Sequence, residues 1–153
     1  VVQLGLPADG SVVYVERFDH GSLPQEVSGE WMRKVSGFAS SSGRVLAAFD
    51  PRIATATLSV PRTQYTTRTI TDTARLRQVF AITRSKGWVC TREERAVGLT
   101  SMSAPIFDAS GQVVAAVSVV GRSRTLTGSR AEFVLRRLLI SARRISAGLV
   151  ESV

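Results

Sequence analysis

The chain has one cysteine, Cys90, and one histidine, His20, among its 153 residues. A single cysteine excludes an internal disulfide and points to a reducing cytoplasm. One thiol and one imidazole leave no transition-metal constellation. They are also far apart in the chain, with no sign that they meet as nucleophile and base. Cys90, on a short strand, is expected to be a buried filler. The serines lack a G-x-S-x-G setting, and the adjacent Glu93 and Glu94 point opposite ways in an extended segment. There is neither a Walker A loop nor a dinucleotide fingerprint. The expectation is a protein that is not an enzyme and needs no cofactor or metal. Long apolar runs are absent too: Val113 to Val117 falls far short of the roughly 20 residues a membrane helix requires. No basic segment leads into an apolar one at the N-terminus, so no signal peptide is visible.

What is present is ordinary globular composition, 44% hydrophobic and 21% charged, which rules against disorder. The length suits one domain with a real core. Of 20 basic residues only Lys34 and Lys86 are lysine, and the net charge is +8. Such a balance favours anionic partners. The basic residues are spread along the chain, as a solvated basic surface would be, and nucleic-acid binding by this domain has only diffuse charge in its favour. The sequence opens on Val1 inside the apolar run Val1 to Leu6, with no initiator Met. The expectation is a domain cut from a longer protein.

Val1 to Leu6 and Ser11 to Phe18 read as a hairpin around Pro7-Ala8-Asp9-Gly10. The next stretch is less regular, with a short strand expected near Gln25 to Ser28, and with Trp31 and Met32 packing on the sheet or lining a cavity. Three serines then precede Gly43 and an apolar run, so a helix should begin near Ser40 to Ser42 and end by Phe49. Asp50-Pro51 opens another short helix to about Leu58. Thr71 or Asp72 caps a helix over Thr73 to Lys86, with Leu76, Val79, Phe80 and Thr83 on its packed stripe and Gly87 as its stop. A short strand follows at Trp88 to Thr91. The last helix starts at Thr127 or at the Ser129…Glu132 capping box and runs to about Leu149. Its seam of Leu135, Leu138, Ala142, Ile145 and Leu149 packs on the sheet or on a partner.

Between the last two of these elements lies LTSMSAPIFDASGQVVAAVSVVG, Leu99 to Gly121. It reads as two strands joined by a turn at Asp108 to Gly111. Alternation puts Ser101, Ser103 and Pro105 on one face and Met102, Ala104 and Ile106 on the other. Pairing Phe107 with Gln112 sets Ser101 opposite Ser118, which keeps three hydroxyls on one face of an apolar sheet. A helix start at Ser41, Ser42 and Gly43 would add unpaired N–H groups and a positive dipole end, or simply be capped. Hydroxyls, helix start and positive field together suit a small carboxylic acid in a mostly apolar pocket.

Five segments, in this order and spacing, resemble the C-terminal effector-binding domain of IclR-type bacterial transcription regulators. They are GSVVYVERF at Gly10 to Phe18, ASSSGRVLAAF at Ala39 to Phe49, RTITDTARLRQ at Arg68 to Gln78, the stretch Gly87 to Gly121, and LTGSRAEFVLRRLLISARRIS at Leu126 to Ser146. The resemblance implies an α+β, GAF-like fold, a central antiparallel sheet flanked by helices, with residues 1–153 as one effector-binding domain. It also implies a winged helix-turn-helix N-terminal to this chain, through which alone DNA is bound, a homodimer or homotetramer, and a small organic acid as effector. Carried over by position, the family's ligand contacts fall on Ser41, Ser42 and Gly43, on Thr91 and Glu94, and on Ser101, Ser118 and Val120. Members that bind small keto acids have Asp at the position of Thr91, Cys at Ser101 and a second Ser at Val120. These departures speak against a glyoxylate- or pyruvate-like ligand, and the helix motif Gly43-Arg44-Val45-Leu46 leans toward members that sense aromatic acids. The alternative is a free-standing metabolite-binding domain with no DNA module.

Overall fold

The computed structural model describes residues 1–21, 23 and 33–151. The strand expected near Gln25 to Ser28, and Trp31 and Met32, lie outside these residues. The described chain forms β1 (Val2–Ala8), β2 (Ser11–Phe18), β3 (Lys34–Ser36), α1 (Ser41–Phe49), α2 (Pro51–Ser59), α3 (Thr73–Lys86), β4 (Val89–Arg92), β5 (Leu99–Phe107), β6 (Val113–Arg122) and α4 (Gly128–Glu151). The strands make one antiparallel sheet in the order β3-β2-β1-β6-β5-β4. This is the expected α+β arrangement, a sheet with helices on both faces.

The first hairpin turns on Asp9 and Gly10, both at positive φ (49° and 80°), the backbone that a two-residue turn matched to strand twist requires. Pro7 and Ala8 therefore belong to the strand, not to the turn. Side-chain alternation then divides the core. Val12, Tyr14, Val35, Val89 and Ala116 meet Val45 and Leu46 of α1 on one face. Met102, Ala104, Ile106, Ala115 and Val117 meet Leu138 and Ala142 of α4 on the other. Helices α2 and α3 stack outside α1 around Phe38, Leu76 and Phe80.

Helix α1 is the central one, with Ser41 through Ala48 all buried. Ser40 caps it by accepting from the Gly43 N–H at 3.1 Å. Asp50 and Asp72 cap α2 and α3, and Gly87 at φ 81° ends α3, each as the sequence indicates. On α4 the expected seam divides. Leu138 and Ala142 are buried and Leu135 is half-buried against the sheet, whereas Ile145 and Leu149 are exposed.

Two further expectations are corrected. Phe107 pairs with Val113, not Gln112, and a bulge between Ile106 and Phe107 shifts the register again. Ser118 therefore faces Ser103, and Ser101 faces Val120. The combined slip is two residues, an even number, so Ser118 stays on the face of Ser101 and Ser103. Cys90 is exposed rather than buried. On β4 it is Val89 and Thr91 that turn inward, while Cys90 and Arg92 point outward from an edge strand.

Candidate functional site

A cavity of about 190 Å³ opens where the N-terminus of α1 faces the sheet. Its floor is Gln3 of β1, Tyr14 of β2, Thr91 of β4, Leu99, Thr100 and Ser101 of β5, and Val120 of β6. Ala39, Ser40 and Ser41 at the start of α1 form one wall, with Val35 beside them. Glu94, Arg95 and Ala96, in the loop between β4 and β5, form the other.

Of the residues singled out from the sequence, Ser41, Thr91, Glu94, Ser101 and Val120 line this cavity. Ser42, Gly43 and Ser118 do not. Ser42 is buried behind Ser41, where it accepts from the Tyr14 hydroxyl at 3.3 Å and lies 3.2 Å from Ser103 Oγ. Gly43 packs on Gly37 so closely that a Cβ would lie 2.2 Å from the Gly37 carbonyl oxygen. Glycine is needed there for close approach of two backbones. Ser118 is completely buried, and its hydroxyl has no hydrogen-bond partner among the described residues.

The hydroxyls form a ladder between helix and sheet. Ser41 Oγ bonds to Ser101 Oγ and, at 2.7 Å, to Ser103 Oγ. Ser42 and Tyr14 continue it. Much of the hydrogen-bonding capacity that made this face look like a pocket floor is spent on docking α1.

The charges are arranged with equal economy. Arg44, 1% exposed, donates Nε to the Phe38 carbonyl at 2.7 Å and grips Glu94 with a two-pronged pair through NH1, at 2.8 Å, and NH2. A planar fork on a carboxylate is the strongest geometry such a pair adopts. The Glu94 loop is also tied by its backbone: Thr66 Oγ1 donates to the Glu93 carbonyl and Thr69 Oγ1 to the Glu94 carbonyl, both at 2.6 Å. Glu93 turns away at φ 57° toward Arg68, 3.7 Å off. The Arg95 guanidinium lies over the Tyr65 ring, its carbon 4.1 Å from the centroid. Arg44 neutralises Glu94, and Arg95 is the basic residue of the cavity lining.

Sequence reasoning missed Gln3, Tyr14, Arg44 and Arg95 as site residues. Gln3 is the one polar side chain in the apolar run Val1 to Leu6, and Arg44 the one charge in SSGRVLAAF. A polar residue in an otherwise buried element was the available signal. Phe38 is buried and stacks on Tyr65 at 6.2 Å. Among the described residues no three His, Cys, Asp or Glu side chains cluster to hold a metal, and no helix is long and apolar enough to cross a membrane.

Residues 1–147 match the family model described as "Bacterial transcriptional regulator IclR C-terminal". The regulator KdgR of Escherichia coli is 28% identical over 148 residues, 95% of this chain and 56% of KdgR. Its C-terminal domain superposes with a TM-score of 0.84 at 27% identity, covering 97% of this chain and 86% of that one. The IclR protein of Thermotoga maritima superposes with a TM-score of 0.88 at 29% identity, covering 97% and 60%. The inducer-binding domain of PobR from Acinetobacter, a double mutant in complex with 3-hydroxybenzoic acid, shares the fold with a TM-score of 0.81 at 20% identity, covering 95% and 86%. The chain spans only about a third to just over half the length of the curated relatives it matches (33%, 31% and 56% for three of them). Sheet order, buried first helix and family match agree, and the chain belongs to the IclR family of bacterial transcriptional regulators as its C-terminal regulatory domain.

Proposed function

We propose that the cavity is the effector site of a transcription regulator and that its effector is a small organic acid, with aromatic acids preferred. The lining carries the reading: Arg95 brings a guanidinium to a cavity of apolar and hydroxyl-bearing side chains whose carboxylate, Glu94, is held by Arg44. The acid's carboxylate meets Arg95 and the hydroxyls of Thr91, Ser41 and Ser101, and its body rests on Leu99, Val35 and Val120. Ser42, Gly43 and Ser118 act one layer deeper, by holding α1 and the floor in place. The PobR domain in complex with 3-hydroxybenzoic acid has this fold, which supports an aromatic acid as ligand class. A volume near 190 Å³ favours a monocyclic or short-chain acid over a drug-sized ligand.

The effector acts by binding two conformations of the regulator unequally and so shifting its affinity for DNA. DNA contact is assigned to a winged helix-turn-helix preceding this domain in the full-length protein, and assembly to a cytoplasmic homodimer or homotetramer. The exposed Phe133, Ile140, Ile145 and Leu149 of α4 support self-association. This domain alone should bind duplex DNA weakly and without sequence preference at physiological salt.

A thermal-shift screen of aromatic and aliphatic acids tests the reading, since a saturating ligand raises the melting temperature by mass action. Arg95→Gln should weaken every acid that binds by about 10- to 100-fold, the worth of a hydrogen bond to a charged group. Acids that bind Arg95→Gln as tightly as the parent would show that the charge lies elsewhere.

A further inference from the structure

Gln3 sits on the cavity floor, 3% exposed, and its side-chain Nε2 has no hydrogen-bond acceptor among the described residues. Directly opposite it in the β1–β6 register lies Ser118, whose Oγ is the other orphan of this sheet face. A buried donor left unpaired costs the desolvation of an amide, so folded proteins hold few of them and each calls for something to complete it. The cavity supplies the place for that something. Gln3 stands on β1 and Thr91 on β4, with β6 and β5 between. Three strand steps separate them by about 14 Å across the sheet. The loop that carries Arg95 follows β4 at the Thr91 end of that span, and Gln3 stands on β1 at the other.

We propose that Gln3 is the specificity-determining residue of the cavity, selecting acids that carry a second oxygen, a hydroxyl or a carbonyl, at the end remote from the carboxylate. The proposal rests on the effector reading above. The remote oxygen accepts from Gln3 Nε2 while the carboxylate meets Arg95, so the two ends of the cavity recognise the two ends of one ligand. An acid lacking that oxygen leaves the Gln3 amide buried and unpaired, and a site built to hydrogen-bond a group rejects the analogue without it.

The test compares acids differing only at the remote position: benzoate with 4-hydroxybenzoate, and valerate with 4-oxovalerate, titrated calorimetrically into the protein and into its Gln3→Met variant. The parent should bind the oxygen-bearing member of at least one pair about five- to tenfold more tightly. In Gln3→Met that preference should vanish, with the plain acid bound at least as tightly as by the parent. The ligand-free melting temperature should hold or rise, because an apolar isostere relieves the orphan donor. Plain and oxygenated acids binding the parent equally would overturn the proposal and leave the effector reading standing. A preference that survives in Gln3→Met would do the same. A lower ligand-free melting temperature in Gln3→Met would place the amide in a structural bond, with Ser118 its nearest candidate, and would also overturn it. Binding of none of the four acids overturns both readings.

Discussion

At the scale of single residues, Arg44 and Glu94 show how far spacing carries. An arginine inside an otherwise apolar helix is legible as an anomaly. Its partner is not, because Glu94 lies fifty positions away and is brought into place only when the β4–β5 loop is tied down by Thr66 and Thr69. Glu94→Gln leaves a buried guanidinium without its counter-charge and should cost about 3–5 kcal/mol in urea unfolding. Replacing both partners with apolar residues, as Arg44→Met with Glu94→Leu, should recover most of that loss. Gln3 was hidden for a related reason: one polar side chain in a strand is common, and only the sheet order puts it on a cavity floor. Asp50 gives a pH-dependent case. Hydrogen bonds from the Arg52 side chain and backbone hold its carboxyl down to about 2 against an ordinary 3.8. A depressed pKa contributes stability in full above the unfolded value, and that contribution is lost as pH falls through the folded one. Unfolding curves between pH 5 and pH 2 should therefore show a loss for the parent that is smaller in Asp50→Asn.

At the scale of elements, the hairpin of β5 and β6 was read correctly for its faces and wrongly for its partners. Faces follow from the two-residue period of a strand, which any local sequence displays. Register depends on how many residues a bulge absorbs, and nothing in Ile106-Phe107 announces one. Helix α1 shows the opposite balance. Its start and cap were legible from three serines and a glycine, but the purpose of Gly43 was not, since Gly37 arrives from a separate segment. Gly43→Ala should drive a methyl into the Gly37 backbone and destabilise the fold by about 3 kcal/mol, the upper range of overpacking. A thermal melt of that variant checks this without any ligand. In α4 the heptad-like seam divides, and its sequence could not say that Ser146, not the exposed Ile145, still meets β5.

At the scale of the molecule, three of the five segments that carry the family resemblance build most of the cavity. Ala39 to Phe49 supplies its helical wall, Gly87 to Gly121 its charged loop and most of its floor, and Gly10 to Phe18 supplies Tyr14. Fold class and general location were therefore readable from the chain, whereas the electrostatics were not, because they depend on which of 20 basic residues reaches Glu94.

One consequence concerns local opening rather than affinity. Glu94 belongs both to the cavity wall and, through Arg44, to a helix with no exposed face over residues 41–48. Filling the cavity and opening that helix are thus competing events within one cooperative unit. Amide hydrogen exchange should slow across α1 and residues 93–96 together when an acid is bound, by a common factor. The last turn of α4, exposed at Leu149 and Val150, should exchange at its ligand-free rate.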